Sequence, residues 1–246
     1  MSNLEDLKAW YERAPEKIRQ ASKIVTPDEY PSPYLFHISK NPKIKEFIPF
    51  IGRRQGESED RTIPRITVAP YLIGCMIGYA DVEKDFMLNK ERDKEKSKIP
   101  FLGGWKIYGF KYDGALKPTK KLVYDAKNSD ECWLTTYNEA TQRYVASVVG
   151  EFFYKSITFQ ARDKDPWSEG EFYLKTTTLL PFTKRHILQP GFYRIRGLTP
   201  QFVRDYVDDK HYEVEPISEA DYLKAKHGVA DMLAYQKPDP IFLNWK

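Results

Sequence analysis

From Tyr34 to Tyr79 the chain reads YLFHISKNPKIKEFIPFIGRRQGESEDRTIPRITVAPYLIGCMIGY, and this stretch limits the possible folds more than any other. Two short apolar runs, Tyr34–Ile38 and Ile66–Ala69, have the length and the β-branched or aromatic content of buried strands. The residues between them are rich in proline and charge, and the run Glu57–Thr62 reads as a solvated loop. A connection this long between two strands is unusual inside a packed domain and often frames a site. Ala69-Pro70-Tyr71 then opens Leu72–Tyr79, a short helix apolar over most of its surface and therefore expected to be buried.

The flanking segments alternate between the two periodicities. Ser2 and Glu5 have capping-box spacing, and Leu4, Leu7, Trp10 and Tyr11 recur as on one helical face, so Asn3–Arg13 is expected as a surface helix with a second turn at Pro15–Ala21. Thr26–Pro33 breaks structure with three prolines. Lys84–Lys98 is dense in charge, either a solvated helix or a loop. Beyond the Gly103-Gly104 turn, strands are expected at Trp105–Tyr112, Leu122–Asp125, Glu131–Tyr137, Tyr144–Val149 and Phe152–Gln160. A turn at 162–171 leads to strands Phe172–Leu179, Phe192–Ile195 and Tyr212–Val214. Helices are expected at Gln201–Tyr206 and, started by Ser218 and Asp221, at Glu219–Tyr235. The fold class that results is α+β: a split, mostly antiparallel sheet with an N-terminal helix and a C-terminal α+β extension. A soft boundary near residue 160 separates 1–160 from 161–246, although the second part reads equally as an elaboration of one sheet.

The 246 residues include 17 Tyr, 14 Phe and 5 Trp, enough bulky side chains to fill a sizeable core. A charged fraction of 30% and a mean hydropathy of −0.62 indicate a soluble protein. No apolar run approaches the ~20 residues of a membrane span, and the acidic N-terminus has no signal-type apolar region, so a cytoplasmic location is expected. The net charge of +4 permits a nucleic-acid partner through residues such as Lys117, Lys120 and Lys121, but argues for none without a clustered patch. Two cysteines in apolar surroundings, Cys75 and Cys132, fit a reducing compartment.

Several constellations are weak. Gly103-Gly104 is no phosphate loop, and four scattered His residues with two lone Cys give no metal-ligand spacing. Cys75 with His37 could form a thiol nucleophile, but Cys75 inside LIGCMIG reads as a small buried residue. Glu169 and Glu171 could form a carboxylate pair, but SEGE reads as a turn entering a strand. His37, Tyr71 and Glu131 are stronger, because each sits at the end or opening of a strand. All three also have ordinary uses, as a core histidine, a packing aromatic and a strand-entry carboxylate.

LFHIS, then PRITVAPY, then ECWLTTYNEATQRYVASV resembles the three-part pattern of the ADP-ribosyltransferase superfold over about residues 34–150. The layout YLFHIS, ESEDRTIPRITVAPYLIGCMIG is also similar to a group of phage and bacterial proteins. The resemblance implies NAD as substrate, with Glu131 as the catalytic carboxylate and His37 and Tyr71 binding the dinucleotide. Ser129 stands where enzymes acting on arginine carry a second Glu or Gln. Chemically, cleavage of the nicotinamide–ribose bond passes through an oxocarbenium-like transition state that a carboxylate stabilises. A flat aromatic suits the nicotinamide ring, and a histidine can bond a ribose hydroxyl. Glu213 and Glu215 compete for the carboxylate role. The activity that the resemblance implies is transfer of ADP-ribose to a macromolecule, a protein, chosen by the segment TKRHILQPGFYRIRG. The alternative is a phage-encoded binding protein that sequesters a nucleotide or blocks a host protein.

Overall fold

The computed structural model describes residues 4–51, 59–78, 104–124, 126–136, 142–156, 170–198 and 212–234. The expected segments Lys84–Lys98 and Gln201–Tyr206, the turn before Gly170, the Ser2 cap and the C-terminal tail lie outside them.

The chain is a mixed α+β protein built on antiparallel sheets. Helix α1 (Leu4–Arg13) is followed by α2 (Glu16–Ala21), which leads directly into β1 (Ser22–Val25). Strands β2 (Tyr34–Ser39), β3 (Glu46–Phe47) and β4 (Arg65–Val68) precede helix α3 (Leu72–Gly78). Then come β5 (Gly104–Lys111), β6 (Ala115–Pro118), the short helix α4 (Ala126–Ser129), β7 (Cys132–Thr135), β8 (Tyr144–Val145) and β9 (Ser147–Ser156). The remainder comprises β10 (Gly170–Thr176), a small hairpin of β11 (Leu180–Pro181) and β12 (Ile187–Leu188), β13 (Gly191–Leu198), β14 (Glu213–Pro216) and helix α5 (Glu219–Ala234).

Two sheets dominate. One has four strands in the order β1-β6-β7-β4, the other six in the order β14-β13-β10-β9-β5-β2. β9 and β10 pair along seven residues, so the stretches before and after residue 160 share one sheet. Among the described residues the backbones of the two sheets pair at one place: Phe36 N donates to Ala69 O at 2.8 Å and Ala69 N to Phe36 O at 2.9 Å. Beyond it β2 follows β5 and β4 follows β7, so the two strands diverge.

Strand periodicity divides the core. On β2 and β5, Phe36, Ile38, Trp105 and Ile107 point to one face, where α3 and the β11–β12 hairpin cover them. Leu35, Tyr108 and Phe110 point to the other and pack with Ile66, Val68 and Leu134 of the four-stranded sheet. Leu7 of α1 and Ile18 of α2 close that sheet's outer side against Leu116 and Trp133.

Three local expectations change. Leu122–Val123 belongs to a turn before α4, not to a strand; both side chains are buried against α1 and α2, which explains their apolarity. The expected strands at 144–149 and 152–160 are, as far as described, β8 followed by the long β9. Asp60, expected in a solvated loop, is buried and accepts from the backbone N–H of Thr62 at 2.9 Å and of Ile63 at 3.0 Å.

Helix α5 docks through Tyr222, whose ring lies 5.4 Å from Phe153 and 5.1 Å from Phe192. Its hydroxyl donates to Glu151 Oε1 at 3.0 Å, and Lys106 and Lys226 pair with the same carboxylate. Burial alone would raise the Glu151 pKa, but the hydrogen bonds and charges of the two lysines outweigh it and bring it down to about 2. A depressed carboxylate contributes stability above its unfolded pKa and loses it as pH falls toward the folded one. Glu151→Gln should therefore cost about 1–2 kcal/mol at pH 7, and the gap to the parent should close as pH falls from about 4.5 to about 2. Urea unfolding of both proteins across that range checks this; an unchanged gap at low pH contradicts it.

Candidate functional site

The divergence of β2 and β4 leaves a wedge, and the wedge becomes a cavity. Thr67, in register with Trp133 of β7, has its carbonyl oxygen met by His37 Nδ1 at 2.9 Å. A carbonyl only accepts, so Nδ1 carries the proton and Nε2 of the neutral ring is the acceptor. Burial lowers the His37 pKa more than the Thr67 bond raises it, which favours that neutral form. The Phe47 ring, 5.3 Å away edge to face, supports the imidazole from the side.

The cavity, about 190 Å³, is lined by His37 and Ile38 of β2, Thr67 and Val68 of β4, and Gly74 and Cys75 of α3, with Ser129 and Glu131 among the remaining walls. Glu131 precedes β7, is 7% exposed, and accepts from Trp133 Nε1 at 2.6 Å through Oε1. Behind it lies Arg65, buried with its guanidinium 4.2 Å from the Trp133 ring centroid. Burial disfavours the Arg65 charge, and Glu131, Glu59 and Asp60 favour it. Arg65 Nη1 donates to Asp60 O at 2.7 Å, and Nη2 lies 3.4 Å from Glu59, another cavity-lining residue. The result is a small pocket of mixed polar and apolar lining, with a fixed carboxylate, a neutral imidazole and a buried cation behind.

Two of the three expected site residues, His37 and Glu131, thus share one cavity. Tyr71 is not among its lining residues. Its ring meets Tyr30 edge to face at 6.3 Å, and Lys184 Nζ lies 5.8 Å from its centroid. Burial raises the Tyr71 pKa, the Asp130 charge raises it further, and Lys184 and Lys117 oppose both. The carboxylate that Tyr71 senses is therefore that of Asp130, one residue before Glu131.

The other candidates fall elsewhere. Cys75 lines the cavity, but its thiol donates to Phe36 O at 3.1 Å and burial pushes its pKa up to about 12, which makes it a poor nucleophile at neutral pH. Glu213 and Glu215 sit on β14, at the opposite edge of the six-stranded sheet from His37, roughly 24 Å away by strand spacing. Glu215 pairs with Arg194 at 2.6 Å. Glu171 accepts from Tyr173 Oη at 2.7 Å and from Arg196 Nε at 3.1 Å, a structural use, and Glu169 lies outside the described residues. Those pairs also occupy Arg194 and Arg196, two of the three arginines of the segment expected to choose a target. Sequence reading missed Arg65, Glu59 and Asp130; only Arg65 left a trace, as a charge alternating with apolar residues in RITV.

Searches of protein-family models, of curated proteins and of solved structures returned no match to this chain. Among the described residues, no helix is long and apolar enough to cross a membrane.

Gly74 forms part of the cavity wall, and a Cβ there would lie 2.0 Å from Ser129 O. Backbone cannot yield as a flexible side chain does, so Gly74→Ala must push α3 from the α4–Glu131 segment. The expected cost is about 1–3 kcal/mol, read as a lowered denaturation midpoint. An unchanged midpoint contradicts the close packing of α3 on Ser129.

Proposed function

We propose that the cavity between β2 and β4 is the ribose-side pocket of an NAD-dependent, ADP-ribosyltransferase-like site. The observation that carries this reading is the presence of His37 and Glu131, distant in sequence, in the walls of one cavity. At about 190 Å³ it lies below the roughly 300–1,000 Å³ of sites that enclose a whole ligand. It therefore suits one ring-sized moiety of a larger molecule. The neutral imidazole offers Nε2 to a ribose hydroxyl. The Glu131 carboxylate, oriented by the Trp133 N–H, would face positive charge developing on the ribose, and such pre-set groups act where charge appears in the transition state. A macromolecule would receive the ADP-ribose.

A second reading, nucleotide binding without turnover, is favoured by Tyr71, which is not among the residues lining the cavity and so does not supply the expected clamp for nicotinamide. Isotope-labelled NAD separates the two. Turnover predicts nicotinamide release that Glu131→Gln lowers by about 10²-fold or more; the Gln oxygen can still accept from Trp133, but buried Arg65 loses a neighbouring charge, so the variant is assayed at a temperature where its own melting curve shows it folded. Release at the parent rate in that variant removes Glu131 from the role. Saturable binding with no release by the parent protein selects the second reading, and absence of both rejects NAD.

A further inference from the structure

The segment Ser129-Asp130-Glu131 serves two sides of the molecule. Ser129 and Glu131 line the cavity. Asp130 instead holds two lysines: Lys117 Nζ lies 2.9 Å from Oδ1 and Lys184 Nζ 2.8 Å from Oδ2. Asp130 follows α4 with φ of 48°, the one positive φ outside glycine among the described residues. Helices often end on such a left-handed residue, where Gly or Asn is usual. Aspartate there brings a charge that chain reversal does not require.

Two tyrosines wall this cluster. Lys117 Nζ donates to Tyr30 Oη at 3.3 Å and lies 5.4 Å from the ring centroid, while Lys184 stands over Tyr71. Lys184 arrives on a braced turn between β11 and β12. Thr183, fully buried at its base, accepts through Oγ1 from the backbone N–H of His186 at 3.2 Å and bonds the Tyr212 hydroxyl at 2.9 Å. The turn is fastened to α3 where Ile73 N donates to Phe182 O at 3.0 Å. Such bracing fixes where the ammonium group can reach.

Charge and hydrogen-bond capacity are out of balance. Two ammonium groups carry six N–H donors, and the Asp130 carboxylate with the Tyr30 hydroxyl engages three of them. The cluster keeps one net positive charge beside two aromatic rings, with the Lys117 side chain 25% and that of Lys184 53% exposed. An acceptor with several oxygens and more than one negative charge matches the remaining donors, and lysine binds phosphate in this way.

We infer that Lys117 and Lys184 form a binding site for a phosphate monoester group, with Asp130 holding the two ammonium groups in place and Tyr30 and Tyr71 forming its walls. The site is separate from the His37–Glu131 cavity and does not rest on the reading given to that cavity.

Titration of the full chain with inorganic phosphate, phenyl phosphate and acetate at constant ionic strength tests it, followed by the NMR signals of the Tyr71 ring. Both phosphates should saturate at concentrations on the order of millimolar, and acetate should not. Lys184→Gln, at an exposed position that should not disturb folding, should weaken phosphate at least tenfold with an unchanged melting temperature. Asp130→Asn should strengthen it several-fold by removing the competing carboxylate. The Lys120→Gln, Lys121→Gln pair, exposed and outside the cluster, should bind as the parent does. Equal responses to acetate and phosphate, parent-like binding by Lys184→Gln, or no saturation by either phosphate overturns the site.

Discussion

The pairing of Phe36 with Ala69 is the contact on which the rest depends. Among the described residues it joins the backbones of the two sheets at one pair and then ends, because β2 is committed to β5 over six residues and β4 to β7 over four. Backbone groups inside a protein must find partners. At Thr67 a side chain, the His37 imidazole, meets the carbonyl oxygen. One backbone requirement thereby fixes the tautomer of His37, its orientation and its place beside a cavity. The structural role of the histidine thus leaves Nε2 as the ring's acceptor.

The opposite wall follows a similar logic. A buried guanidinium is costly unless carboxylates and aromatic faces surround it. Arg65 has Glu59, the Trp133 ring and the charge of Glu131. Trp133 also ties down Glu131 from within β7. Glu131 is thus a rigid acceptor whose surroundings are set by folding rather than by a ligand, which is the condition for electrostatic pre-organisation.

Legibility in the sequence tracked the strength of local periodicity. β2, β4, α3 and α5 were readable because apolar spacing and, for α5, the Ser218 cap all agree; Asp221 N does donate to Ser218 Oγ at 3.1 Å. β6 was not, because ALKP is four residues with a lysine and a proline and draws its strand state from β1. Leu122 and Val123 misled because apolar pairs look alike in a strand and in a buried turn. The site was half legible. Residue types and order pointed to His37 and Glu131, but phase is invisible without backbone angles: the left-handed turn at Asp130 sends adjacent carboxylates to different neighbours, and Tyr71 goes with Asp130. Sequence alone likewise could not reveal that Arg65 is buried or that Lys184, far along the chain, returns to the same cluster.

The claim at the centre is that His37 and Glu131 contact one ligand in one cavity. Long-range ¹H–¹⁵N spectra of the His37 imidazole during titration with NAD test it most directly. The account predicts a neutral ring protonated at Nδ1 in the free protein, with the Nε2 resonance moving saturably as NAD is added and a weaker or lost response in the Glu131→Gln protein. An Nε2-protonated ring, or a His37 signal indifferent to NAD while NAD binds, would contradict it.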